Sequence, residues 1–364
     1  MERNDCGFLL TSTESVGLGM DMLPAEEGQS FCNLWGWIVR IFYACYLASR
    51  VAYYLLFVKD DVGGRLDELR KYTGPIILDA VFLLALFVNY KLGVHSGSVR
   101  AVLREFPGGL AGNPRAAFAR RITQATALLW LVAISLSVFA HATATLPEEW
   151  LERAFVVTSF YVDNLLAFGT LCFTAAMLGH VSHYLGFELL KYEKTLVQLF
   201  HRPPAPHLHR LVLGDFYALR QLMRNVAAAF DGVALVWFLA AALYLLHTAS
   251  QWPLAPDSAG TLAASALRGA VLWAILLFAS DRASALRRKT DEIRRFLKAV
   301  AGSLANSNPD ASSVFSHFQA DCFSKPMGMS VACGLPLTKA FFCGSVLLAL
   351  GASSAAGAAL YVLT

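Results

Sequence analysis

LAASALRGAVLWAILLFASDRASALRRKTDEIRRFLKAV, residues 262–300, changes character halfway along its length. Its first half, 262–280, holds a single charged side chain, Arg268, among apolar residues. That is about the 20 residues a helix needs to cross the hydrocarbon of a bilayer. Its second half, DRASALRRKTDEIRRFLKAV, is strongly charged, yet Leu286, Ile293, Phe296, Leu297 and Val300 recur at helical spacing. Such a tail carries one apolar stripe, which must be buried against other helices or against the membrane surface. The stretch reads as a membrane span with a helical extension into water, and a helical bundle beneath the membrane is the preferred arrangement.

The same rule finds six more apolar runs, at 34–58, 75–94, 123–146, 154–180, 226–249 and 338–363. The expected fold class is an all-α membrane protein with seven transmembrane helices. Composition agrees: of 364 residues, 56% are hydrophobic and 15% charged, against roughly 25% charged in a soluble domain. A net charge of +4 is too small and too dispersed to suggest nucleic-acid binding. The first 30 residues lack the basic stretch, apolar stretch and small-residue site of a signal peptide.

Positive charge is retained on the cytosolic side during insertion. With the N-terminus inside, 20 of the 30 Lys and Arg fall in cytosolic segments and 5 outside. The N-terminus is therefore expected in the cytosol and the C-terminus outside. Cys6, Cys32, Cys322 and Cys333 then face the reducing side, Cys45, Cys172 and Cys343 lie in spans, and no disulfide is expected. The organisation becomes a cytosolic segment 1–33, six spans over 34–280 with a helical extension at about 181–225, a cytosolic anchor region 281–337, and a seventh helix 338–364. Within the anchor, SLANSNPDASS (303–313) reads as a flexible loop.

Ionisable residues inside spans are costly and are usually functional or paired. Arg50, Tyr54, Asp79, His141, Asp163, Tyr244, His247 and Arg268 fall at one level in the outer half of the membrane, with Trp130 and Trp273 beneath them. Together they form a candidate ligand-binding pocket for a small polar or amphipathic molecule. The alternative is that Asp163 or Asp79 pairs with Arg268 or Arg50 and that the aromatics form an interfacial belt. Arg40 and Asp231, near the cytosolic boundary, read as structural.

GSVLLALGASSAAGAALYVLT (344–364) is smooth and uncharged. Small residues permit close helix approach. With occasional hydroxyls they also suit a narrow hydrated path, for which Ser353, Ser354, Gly357, Leu360, Tyr361 and Thr364 are the candidate pore residues. His201, His207 and His209 sit in a Pro-rich loop with no carboxylate or thiol spaced nearby, so no metal is expected. No nucleotide loop or nucleophile constellation occurs, so neither a cofactor nor an enzyme activity is expected. No internal repeat supports a transporter. A seven-transmembrane G-protein-coupled receptor is the alternative from a different class, set below because it would place its N-terminus outside and because the motifs of that class are missing.

The string FSHFQADCFSKPMGMSVACGLPLTKAFF (315–342), followed by the last helix, resembles the C-terminal signature of the insect gustatory receptor family. Ser330, Ala332, Cys333, Gly334 and Leu335 carry that resemblance. Weaker similarity covers 184–245, through Tyr192, Leu219, Asn225 and Phe230, whereas 1–180 match in topology and length alone. The resemblance implies a tetrameric ligand-gated nonselective cation channel in the plasma membrane of sensory neurons. It implies a small-molecule tastant in an outward-facing pocket, a pore lined by the last helix, and a homotetramer or a heterotetramer with related subunits.

One departure stands out. The family closes its last helix with Thr-Tyr, five hydrophobic residues and Gln-Phe, and an ungapped match places Ala352 where that Tyr belongs. A different gate, a co-receptor, or a divergent or incomplete chain are the three readings of this difference. An odorant receptor is the nearest alternative within the same superfamily.

Overall fold

The computed structural model describes residues 38, 41–49, 51–52, 80, 83–84, 102, 114–143, 150, 153–154, 157–158, 168–200, 206–251, 259–306, 309–323, 327–332 and 334–363. Over these residues the chain is all-helical and without strands. Most of the runs 34–58 and 75–94 lies outside the described residues.

Helix α1 spans Pro114–Thr143, α2 Gly169–Phe200, α3 Pro206–Phe230, α4 Val233–Gln251, α5 Ala259–Leu304, α6 Pro309–Phe323 and α7 Lys339–Leu363. Among the described residues three stretches are long and apolar enough to cross a membrane: Gly214–Ala249, Ala266–Leu304 and Lys339–Ala356. Gln124–Leu136 in α1 is a shorter apolar stretch.

The two longest described helices are far longer than a bilayer is thick. The 32 residues of α2 extend about 48 Å and the 46 residues of α5 about 69 Å, against roughly 30 Å of hydrocarbon. Each changes its surface as it leaves the apolar segment. The first part of α2 is buried all round, at Leu171, Cys172, Phe173, Ala175, Ala176, Met177 and Leu178. Beyond it, Leu185, Leu189, Tyr192 and Leu196 form one buried stripe, while Lys191 and Thr195 are exposed. On α5 the buried stripe continues through Ala279, Ala283, Leu286, Ile293, Leu297 and Ala301.

The stripe expected at 286–300 is thus covered by protein: Leu286, Ile293 and Leu297 are buried, and Phe296 and Val300 pack against the same core. Helix α5 packs most extensively on α2, and also on α1, α4, α6 and α7. Lys289 of α5 pairs with Glu193 of α2 and with Glu292, at 3.0 Å. Burial alone would lower the pKa of this ammonium, but the hydrogen bonds and charges of the two carboxylates outweigh it and hold it above the ordinary lysine value. Stability from a raised lysine is complete below the unfolded pKa, about 10.4, and fades only above it. The tie between α2 and α5 therefore stays intact across the physiological range.

The segment 303–313 corrects an expectation. It is not a loop throughout: α5 runs to Leu304 and α6 begins at Pro309. Proline suits the first helical position because its missing N–H has no partner there. Asp310 follows in the first turn, where a carboxylate meets the positive end of the helix dipole. Phe315 and Phe318 then bury the helix, with Phe318 edge-on to Phe216 of α3 at 5.3 Å. Arg220 Nη2 donates to the Asp321 carbonyl near the other end of α6 (2.7 Å).

Helices α3 and α4 divide one apolar stretch at Asp231–Gly232, a break the sequence reading at 226–249 did not contain. Asp231 N closes the last turn of α3 on Ala227 O (3.0 Å). Gly232 follows at φ 80°, the left-handed conformation in which a helix commonly ends and for which glycine has no Cβ penalty. Its N–H leaves the helix and donates to Val331 O (2.8 Å). Val331 belongs to a tight hairpin over 327–337, in which Ser330 and Pro336 form an antiparallel bridge. Val331 N donates to Leu335 O (2.7 Å) and Leu337 N to Met329 O (2.9 Å). Met327, Met329, Val331 and Leu337 are buried, and Gly334 turns the chain at φ 82°.

Asp231 carries the polar half of this joint: Ser330 Oγ donates to its Oδ1 at 2.7 Å. Asp231→Ala is expected to cost about 1.5–3 kcal/mol, the range for a hydrogen bond to a charged group. A double-mutant cycle with Ser330→Ala in thermal unfolding checks this, and additive losses would mean that the bond carries nothing.

Candidate functional site

The described members of the expected ligand set fall in three places: Tyr244, His247 and Arg268 together, Trp273 further along α5, and Trp130 on α1. Tyr244 and His247 stand one turn apart on α4, half-buried, and Arg268 approaches from α5 with its guanidinium carbon 5.8 Å from the centroid of the Tyr244 ring. A cation over an aromatic face is attracted by the ring quadrupole. Gly269 lies beside that ring, and a Cβ there would meet it in ordinary contact at 3.5 Å.

Trp273 is further along α5 and belongs to an aromatic cluster joining three helices. It packs edge-on against Phe238 of α4 at 6.1 Å and Phe342 of α7 at 5.8 Å. Phe238 also meets Phe341 at 5.1 Å, nearly perpendicular. Trp130 lies apart from this cluster, on α1 against Phe173 of α2 at 5.5 Å. The indole nitrogens of Trp130 and Trp273 are both buried, and neither has a hydrogen-bond partner among the described residues. A buried donor without a partner is costly and is the kind of group a bound ligand satisfies.

Arg50, Tyr54, Asp79, Asp163 and Thr364 lie outside the described residues. His141, Gly357, Leu360 and Tyr361 sit on helices, but their side-chain surroundings are not described.

The aromatic cluster reaches the first turn of α7, and the start of that helix is fixed at three points. Thr338 Oγ1 accepts from Phe341 N (3.1 Å), an N-cap. Lys339 N donates to Ser284 Oγ (2.8 Å). Lys339 Nζ pairs with Asp281 at 2.6 Å. The sequence reading singled out none of Phe238, Phe341, Phe342, Asp281 and Ser284. The doubled Phe just after the hairpin was the available signal, since two bulky aromatics at a helix start need a nearby surface to cover them.

Along α7 one stripe is covered and the other is open. Phe342, Val346, Ala349 and Ser353 lie on the side packed towards α4, and Ser353 Oγ donates to its own helix at Ala349 O (2.7 Å). Ala340, Gly344, Leu347, Gly351, Ser354 and Ala358 follow one another on the opposite side, and all are exposed. Ser353 and Ser354 thus stand on different faces. Of the three long apolar stretches, Gly214–Ala249 is 50% buried within its apolar window and Ala266–Leu304 56%, but Lys339–Ala356 only 17%.

No group of His, Cys, Asp and Glu among the described residues has the geometry of a metal site. No protein-family model matches this chain, and no curated protein matches it significantly.

Proposed function

We propose that this chain is one subunit of a ligand-gated, nonselective cation channel of the insect gustatory receptor type, opened by a small-molecule tastant. The observation that carries the reading is α7: an apolar helix long enough to span, held at its base by three polar contacts, whose exposed face carries Ala340, Gly344, Gly351, Ser354 and Ala358 with Leu347 among them. A spanning helix gains little from facing lipid with glycine, alanine and serine, whereas these residues allow other helices to approach closely. In the proposed assembly four copies, or related subunits, bring this face together around a path in which Ser354 supplies a hydroxyl and Leu347 an apolar constriction.

The remaining features take their places around this pore. Seven spans with the N-terminus in the cytosol put Tyr244, His247 and Arg268 in the outer half of the membrane, where a ligand from outside reaches them, with Trp273 beneath them. Trp273 touches Phe342, so a ligand that shifts Trp273 acts directly on the base of the pore helix. The ligand opens the channel to the extent that it binds the open arrangement more tightly than the closed one. The α2, α3, α5 and α6 extensions form the cytosolic anchor.

Whole-cell recording tests the proposal directly, with sugars, bitter compounds and amino acids applied while G-protein signalling is blocked through the pipette. A prompt ligand-evoked cation current is expected. Surface-expressed protein that gives no current, alone or with related subunits, would overturn the channel reading, and an N-terminal tag stained on intact cells would overturn the orientation.

A further inference from the structure

Between α2 and α5, just past the ends of their apolar segments, the two helices part to form a groove of about 280 Å³. Ser182, His183, Gly186, Phe187 and Leu190 line it from α2, and Arg282, Ala285, Leu286 and Lys289 line it from α5. The spacing on both sides is that of a single helix face. A Cβ placed on Gly186 would meet nothing within 4 Å, so the groove is open where that side chain is missing.

Three features describe what would fit. The groove is amphipathic: Phe187, Leu190, Ala285 and Leu286 are apolar, while His183, Arg282 and Lys289 bear or can acquire positive charge, and no carboxylate lines it. Arg282 pairs with Asp281 at 2.8 Å and stands over the Phe278 ring, and Lys289 pairs with Glu193 and Glu292. Ser182 is 1% exposed, and its hydroxyl has no hydrogen-bond partner among the described residues. Helical hydroxyls elsewhere in the chain, at Thr195, Thr290, Ser345 and Ser353, donate to the carbonyl four residues back.

We propose that this groove binds the phosphate-bearing headgroup of an anionic membrane lipid. A phosphate oxygen accepts from the Ser182 hydroxyl and faces Arg282 and Lys289, while the first carbons of the acyl region lie along Phe187 and Leu190. The position suits a lipid: Ser182 and Arg282 come directly after the apolar segments ending at 180 and 280, so the groove opens at the headgroup level. Basic pockets between helices at that level are where phosphorylated headgroups bind. The inference uses the membrane placement of α2 and α5 and is independent of ion conduction.

The test uses purified full-length protein in detergent and three probes: dioctanoyl phosphatidylinositol 4,5-bisphosphate, dioctanoyl phosphatidylcholine and inositol 1,4,5-trisphosphate. Native mass spectrometry reads the bound fraction. Saturable binding of the anionic lipid is expected, at least about tenfold tighter than of the other two probes. Gly186→Leu, which fills the groove from α2, is expected to weaken it by about tenfold or more. Ala285→Leu fills it from α5 and is the second variant should the first not fold. Equal binding of phosphatidylcholine would overturn the proposal. So would inositol trisphosphate binding as tightly as the lipid, which would mark a site for free anions. Unchanged affinity in a folded groove-filling variant would place the lipid elsewhere and overturn it as well.

Discussion

Leucine in place of Gly351 is expected to leave the single subunit folded and to abolish ligand-evoked current. Among the described residues a Cβ at Gly351 meets nothing within 4 Å, and the same holds at Gly344. Leucine also raises intrinsic helix propensity over glycine by up to about 1 kcal/mol. A loss is therefore expected to come from contacts beyond the described residues. If other copies pack on this face, a leucine there separates the helices and removes the close contacts that small residues provide. Native gels in mild detergent should show the oligomer dissociating, and the current should fall at least about tenfold, equivalent to some 1.4 kcal/mol. A Gly351→Leu protein that assembles and conducts normally would remove the observation on which the pore assignment rests.

Trp237→Ala is expected to give the largest loss of stability within the subunit. Trp237 is 1% exposed and is the largest fully buried side chain of the described residues. It lies edge-on to Phe230 at 6.1 Å, across the break between α3 and α4. Truncating a buried aromatic to alanine costs about 3–5 kcal/mol through lost burial and the cavity left behind. The lower part of that range is expected here, because the indole Nε1 has no hydrogen-bond partner among the described residues and its removal relieves a desolvated donor. Trp237→Phe keeps an aromatic ring in place and should cost less. Thermal unfolding in detergent checks both, and equal midpoints for Trp237→Ala and the parent would mean that the joint is not a packed core.

Much of the helical plan was legible in the sequence because bilayer and helix impose lengths that can be counted. The last helix begins and ends within one residue of its expected bounds at 338 and 363. The amphipathic tail of α5 was legible for the same reason: Leu286, Ile293 and Leu297 keep the helical period through a charged segment. The break at Asp231–Gly232 was not, because a Gly inside an apolar run is often tolerated in a helix. What ends the helix is a backbone acceptor, Val331, supplied from far along the chain. Nor does spacing predict that Trp273 meets Phe342 while Trp130 meets Phe173, since those contacts depend on how helices rotate against one another.

The hairpin that docks on this break also sets a schedule for making the protein. Ser330 lies 99 residues after the aspartate it bonds, and Arg220 lies 101 residues before the carbonyl it caps. At roughly 5–20 residues per second of synthesis, the joint between α3 and α4 waits about 5–20 s for its partner to emerge. Throughout that interval the Gly232 amide and Asp231 carboxylate lack the partners that later cover them. A chain interrupted before the hairpin keeps them uncovered, so the joint separates an incomplete chain from a finished one.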